Sequence, residues 1–144
     1  MDWKNNIIET DAEIRELLEN TKTIAVIGIK MEDYQPAFYV PQYMKSAGFS
    51  IVPVPVYYPE ATEILGEKVY RQLTDVPQAI DLVNIFRRSN DVARHADDIL
   101  AKKPKAVWMQ SGIRNDQVAE TLAKAGIEVV QDLCLMVEHR SLMR

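Results

Sequence analysis

The chain has 144 residues, 47% of them hydrophobic and 26% charged, and carries a formal net charge of −4 at pH 7. That length suits one domain over residues 1–144 with a sizeable core, and the acidic balance argues against a general nucleic-acid binder. No apolar run nears the roughly 20 residues that cross a bilayer, none of signal-peptide length follows Met1-Asp2-Trp3, and one cysteine excludes an internal disulfide, so a cytoplasmic protein is expected.

Thr10-Asp11-Ala12-Glu13 has capping-box spacing: a hydroxyl accepts from a free N–H of the first turn and a glutamate reaches back. Ile14, Leu17 and Leu18 then share a face, which predicts a first helix over about residues 10–20. Next comes the unbroken apolar run Ile24-Ala25-Val26-Ile27, stopped by Gly28 and followed by Ile29 and Lys30. Such a run suits a strand buried on both faces of a parallel sheet. The glycine allows a tight turn and close approach by another molecule.

Val40, Tyr43, Met44 and Ala47 share a helical face that Gly48 is placed to end. Pro41 lacks an N–H and clashes inside a helix. Either the helix bends there or it starts near Val40; the later start is the expectation, leaving residues 36–39 to a loop. Ser50-Ile51-Val52-Pro53-Val54 reads as a second strand whose pairing the prolines end on at least one side. Residues 55–62 read as irregular, Leu65-Gly66 as a turn beside a short edge strand, and residues 73–77 as a single helical turn.

The second half is plainer. Asp81-Leu82-Val83-Asn84-Ile85-Phe86 is a strand, with Arg87 and Arg88 directly behind it. Val92, Ala96, Ile99 and Leu100 mark a helix ending near Lys103, before Pro104. Ala106-Val107-Trp108-Met109-Gln110 is another strand, followed by Ser111-Gly112. Asn115 or Asp116 caps a helix carrying Val118, Leu122 and Ala125, and Gly126 stops it. Ile127-Glu128-Val129-Val130 is the last strand, and residues 132–144 read as a short tail.

This alternation predicts a three-layer α/β domain with a mainly parallel sheet. Right-handed crossovers then align the segments after Ile27, Val54, Phe86 and Gln110 along the carboxyl edge, where ligands of open α/β sheets bind. A nicotinamide-dinucleotide site fits poorly. Its fingerprint needs three spaced glycines, whereas no glycine stands between Gly28 and Gly48. The acid expected at the end of the second strand is replaced by Pro53-Val54-Pro55. An NAD(P)-binding oxidoreductase therefore stands as a rival reading, as does a scaffold or regulatory protein with a degenerate pocket.

Ile24 to Lys30, Ile51-Val52-Pro53-Val54, Ile64-Leu65-Gly66, Asp81 to Arg88, Val107-Trp108-Met109-Gln110-Ser111-Gly112, Asp132-Leu133-Cys134 and Glu138-His139-Arg140 together resemble the small stand-alone CoA-binding proteins. Their fold is similar to the CoA-binding domain of succinyl-CoA synthetase α subunits. The resemblance covers roughly residues 21–140 and implies a Rossmann-like domain that binds coenzyme A or an acyl-CoA. Lys30 stands where many relatives carry a small hydroxyl residue, and Gln35 where they carry a basic one.

The residues suit that ligand. Backbone amides at Gly28, Ile29 and Lys30 and at the next helix start are expected to hold the diphosphate, with Lys30 as a cation. Pro53, Val54, Pro55 and Val56 are expected to wall the adenine. Phe86 offers a flat face, and Arg87 and Arg88 offer planar forks that match phosphate. Ser111 and Gly112 would lie close to the pantetheine. Cys134 is either a small buried hydrophobe or a thiol near the end of that arm. Trp108 is expected in the core. No metal site and no nucleophile–base arrangement is legible, so a ligand-binding module without catalysis is expected, with a homodimer through helices plausible for this size.

Overall fold

The computed structural model describes residues 2–143; Met1 and Arg144, the two ends of the domain expected over residues 1–144, lie outside them. The strands are β1 (Thr23–Ile27), β2 (Ser50–Val54), β3 (Glu63–Ile64), β4 (Glu67–Lys68), β5 (Leu82–Ile85), β6 (Ala106–Met109) and β7 (Glu128–Val130). The helices are α1 (Asp11–Glu19), α2 (Pro36–Ser46), α3 (Ala96–Lys102), α4 (Asp116–Lys124) and α5 (Leu135–Leu142). Five strands form one sheet in the order β2-β1-β5-β6-β7, and every neighbouring pair is parallel. From β1 the chain moves outward to β2, then crosses back to lay β5 on the other side of β1. The strand order therefore reverses between β1 and β5, the topological position where such sheets bind ligands.

Both faces of the sheet are covered, which is why its central strands read as continuous apolar runs. On one face Ala25, Ile27, Val83, Ile85 and Val107 join Ile99 of α3 and Val118 and Leu122 of α4 in one core. On the other, Ile24, Val26, Leu82 and Trp108 join Ile14 and Leu18 of α1, Val40 and Met44 of α2, and Leu135 of α5. The result is the expected three-layer, Rossmann-like α/β architecture. Trp108 is fully buried, and its indole Nε1–H donates to Leu133 O at 2.8 Å, so it is a core residue as expected. Among the described residues no helix is long and apolar enough to cross a membrane.

Local chemistry explains most element ends. Thr10 and Glu13 form the reciprocal capping box that their spacing predicts. Asn115, not Asp116, caps α4, its side chain accepting from Val118 N at 3.1 Å. Leu65 (φ 56°) and Gly66 (φ 75°) join β3 to β4, both left-handed as a tight two-residue hairpin of this hand requires. Pro53 sits in the edge strand β2. Its neighbour Val54 turns its carbonyl to Gly28 N in the β1 direction, while the Pro53 carbonyl, on the outer side, accepts from Tyr70 N. The missing proline N–H therefore costs no ladder bond.

Three expectations are corrected. Helix α2 begins at Pro36, not near Val40, and carries Pro41 inside it. Pro36 occupies the first turn, where a missing N–H is harmless. Pro41 deprives the Ala37 carbonyl of its helical donor, and Lys30 N–H supplies one instead at 3.1 Å. The helix expected from Val92 onward is a 3-10 segment, Ser89–His95, before α3 begins. The expected tail contains α5, whose first residue Leu135 is fully buried.

Candidate functional site

The switch point opens into a cleft of about 940 Å³ at the carboxyl edge. Its walls are the loops after β1, β5 and β6 and the starts of α2 and α5. Lys30, Phe86, Arg87, Arg88, Ser111, Gly112 and Cys134 all line it, so these expected site residues are brought together. Ile113, the end of the expected segment after β6, lines it too; sequence reasoning missed Tyr57, Asp91 and Gln110 as site residues and named Pro36, Ala37 and Tyr39 only as loop residues, and these line the same cleft, as does Gln35. A signal existed for two of them: Tyr57 directly follows the expected wall, and Gln110 precedes Ser111.

The remaining expected residues lie elsewhere. Gly28 (φ 83°) is the floor on which the β1 and β5 ends close: a Cβ there would stand 2.2 Å from Phe86 O. Ile29 is fully buried in the core against α2, and Pro53 is a buried strand residue. Val54, Pro55 and Val56 line a separate pocket of about 230 Å³ with Arg71, His95 and Asp98. The main-chain donors also differ from expectation. Gly28 N–H bonds Val54 O at 2.9 Å and Lys30 N–H bonds Ala37 O, so two amides of the expected cradle are already committed. The parallel ladder runs one residue past Ile27, and Pro41 leaves a carbonyl that captures the other. What Gly28 provides here is closeness of backbone, and what Lys30 provides is its side chain.

The electrostatics of the cleft centre on Asp91, a buried carboxylate. Arg88 Nε lies 3.2 Å from its Oδ2, Arg94 Nε 3.5 Å from Oδ1, and Arg87 Nη2 3.9 Å from Oδ2. The Arg88 hydrogen bond, followed by the charges of the neighbouring arginines, holds the Asp91 carboxyl below its usual range. Three guanidinium ions surround one carboxylate, so positive charge remains for an anion. Arg88 is almost fully exposed, with 90% of its side chain accessible, whereas Arg87 is only 11% exposed. Arg87 is fixed because its Nε–H donates to His95 Nε2 at 3.2 Å. That bond requires His95 to be neutral, with its proton on Nδ1.

Burial first, and then the Arg87 charge, push the His95 pKa below its ordinary value of about 6.5. A histidine depressed in the folded state binds fewer protons folded than unfolded, so stability rises with pH across that window. The contribution is fully present above the unfolded value and lost as pH falls toward the folded one. Acidification below about pH 6.5 is therefore expected to lower the denaturation midpoint. His95→Gln is expected to flatten that decline, as chemical denaturation across the pH range would show. An unchanged slope in the variant would refute the assignment.

At the other end of the cleft, Gln110 is buried and its Oε1 accepts from Leu135 N at 3.0 Å and from Asn84 Nδ2 at 3.3 Å. This fixes the first turn of α5 and places Cys134, the residue before it, half-buried on the cleft wall. Gly112 N–H is held by Asp132 Oδ1 at 2.6 Å, which braces the Ser111–Gly112 turn against the loop that leads to Cys134. Cations thus gather where β1 and β5 end, and the uncharged residues Gln110, Ser111, Gly112 and Ile113 line the cleft toward the thiol.

The sequence profile described as "CoA binding domain" matches residues 22–140. Uncharacterized protein YneT of Bacillus subtilis (strain 168) is 35% identical over 128 residues, covering 89% of this chain and 93% of that protein. A structure described as cell-free ID.343 from Thermus thermophilus is 39% identical, with a TM-score of 0.86 over 93% of this chain and 99% of that one. A dinucleotide-forming acetyl-coenzyme A synthetase of Ca. Korarchaeum cryptofilum, solved with phosphate and ADP, is 26% identical with a TM-score of 0.65. That match covers 79% of this chain but 26% of the synthetase, so the likeness is to one part of a much larger protein. The protein described here belongs to the CoA-binding domain family.

Proposed function

We propose that this protein binds coenzyme A, or an acyl-CoA, in the cleft at the carboxyl edge of its sheet and performs no chemistry of its own. The observation that carries this reading is the convergence of Lys30, Arg87 and Arg88 on one cleft at the strand-order reversal. The residues suit the ligand in three respects. Two guanidinium forks and one ammonium match its phosphates. The close approach of Gly28 to Phe86, which a Cβ would prevent, draws the two strand ends together beneath the ligand. The cleft, about 940 Å³, lies within the roughly 300–1,000 Å³ usual for cofactor sites.

The phosphates lie against the arginines, and the pantetheine arm runs past Ser111 and Gly112 toward Cys134. Neither Asp91 nor His95 serves as a free base in this reading, because both hold arginines. Calorimetric titration of dialysed protein tests it. Coenzyme A is expected to release heat and raise the melting temperature, while NADH and NADPH do neither. Absence of both effects at millimolar coenzyme A would overturn the proposal, and a signal with NADPH alone would favour the oxidoreductase reading. Mass measurement of freshly purified protein under native conditions gives an independent check, since a retained nucleotide shows its mass.

A further inference from the structure

Tyr57 lines the cleft and leaves 57% of its surface exposed. Its position is braced from outside the ring. Arg71 donates to the carbonyls of Tyr57, Tyr58 and Ala61 at 3.1, 2.6 and 3.2 Å. Tyr58, held in the left-handed region at φ 60°, donates its hydroxyl to the Glu32 carboxylate at 2.7 Å and accepts from Met31 N at 3.2 Å. A non-glycine residue in that region costs free energy and persists only where surrounding contacts enforce it. The loop is thus locked in a shape that holds the Tyr57 ring open to the cleft. Lys30 Nζ stands 5.9 Å from the ring centroid, and Arg88 lines the same cleft with most of its side chain free.

The Val54-Pro55-Val56 pocket is a weaker seat for a polar heterocycle. Asp98 on its wall already accepts from Leu73 N at 2.8 Å and Thr74 N at 3.3 Å, and Arg71 is committed to the three carbonyls. We infer that Tyr57, and not the proline–valine wall, is the platform on which the adenine of the ligand stacks, with Lys30 beside it. This rests on the coenzyme A reading and fixes the ligand's direction: purine at the Tyr57 mouth, sulfur at Cys134. An aromatic face attracts any purine, because every base presents a π-face of its own.

The test compares coenzyme A with phosphopantetheine, which lacks the adenosine half, by calorimetry on the wild-type, Tyr57→Ala and Tyr57→Phe proteins. Tyr57→Ala is expected to weaken coenzyme A by about tenfold or more and to leave phosphopantetheine unchanged. Tyr57→Phe keeps the ring face and is expected to keep coenzyme A affinity. Wild-type affinity for coenzyme A in Tyr57→Ala would overturn the inference. So would equal losses for both ligands, which would mark a collapsed loop. A wild-type protein that binds neither ligand would instead overturn the site reading, and the platform with it.

Discussion

Gly28→Ala is expected to cost the fold more than about 3 kcal/mol, the range reserved for changes with a specific steric mechanism. The added Cβ would meet Phe86 O at 2.2 Å and Phe86 C at 3.1 Å, and both are backbone atoms that cannot rotate away. Neither side has slack. Gly28 N–H is bonded to Val54 O and Phe86 N–H to Ile27 O, each at 2.9 Å, so relief requires breaking the ladder between β1 and a neighbour. The left-handed φ of 83° adds about 1–2 kcal/mol for any residue with a Cβ. Gly112 supplies the internal control. It has the same φ, but a Cβ there would meet nothing within 4 Å, so Gly112→Ala is expected to lose only the conformational part. Urea denaturation of both variants separates the two contributions. Equal midpoints would show that close approach at Gly28 is not what requires the glycine.

That glycine was legible because a continuous apolar run ending in Gly has few other uses in an alternating α/β chain. Leu82-Val83-Asn84-Ile85 and Ala106-Val107-Trp108-Met109 were legible as strands, and both are buried throughout. The start of α2 was not. Judging Pro41 by its local penalty ignores that the orphaned Ala37 carbonyl finds Lys30 N–H, a partner eleven positions before Pro41 and in another element. A tertiary bond cancels part of the local cost, and sequence spacing carries no trace of it. The same bond ties the Lys30 loop to the first turn of α2, so the proline that hid the helix also helps hold a cleft residue.

The site divides along similar lines. Arg87 and Arg88 were accessible to reasoning because any residue just past a parallel strand lies at the carboxyl edge. Asp91 was not singled out, although it stands three and four positions after them, because its role depends on the 3-10 path of Ser89–His95. The purine wall was expected on Val54, Pro55 and Val56, which line a smaller pocket, whereas Tyr57, the next residue, lines the main cleft. Helix α5 was hidden because Leu135 is buried by long-range contact with β6, and its first N–H is capped by Gln110 rather than by a neighbour in sequence.

Lys30→Ala combined with Arg87→Ala is expected to weaken coenzyme A by at least about 100-fold while leaving pantetheine, which lacks the phosphates, nearly unaffected. Hydrogen bonds to charged groups contribute about 1.5–3 kcal/mol each, and two are removed. Arg87 should dominate. Its side chain is 11% exposed and already oriented by His95 and Asp91, so little ordering remains when a phosphate arrives. Lys30 is flexible and rests near the Tyr57 ring, so its contribution is that of a mobile charge. The fold should tolerate the double change, because Asp91 keeps Arg88 and Arg94 as partners. Arg87→Lys restores the charge without the planar fork and should recover only part of the affinity. The wild-type affinity should also fall with added salt, and the double variant should show a shallower fall, since fewer ion contacts remain to be screened. Equal losses for coenzyme A and pantetheine would mean that these cations shape the cleft rather than hold phosphate, and the proposed placement of the diphosphate would be wrong.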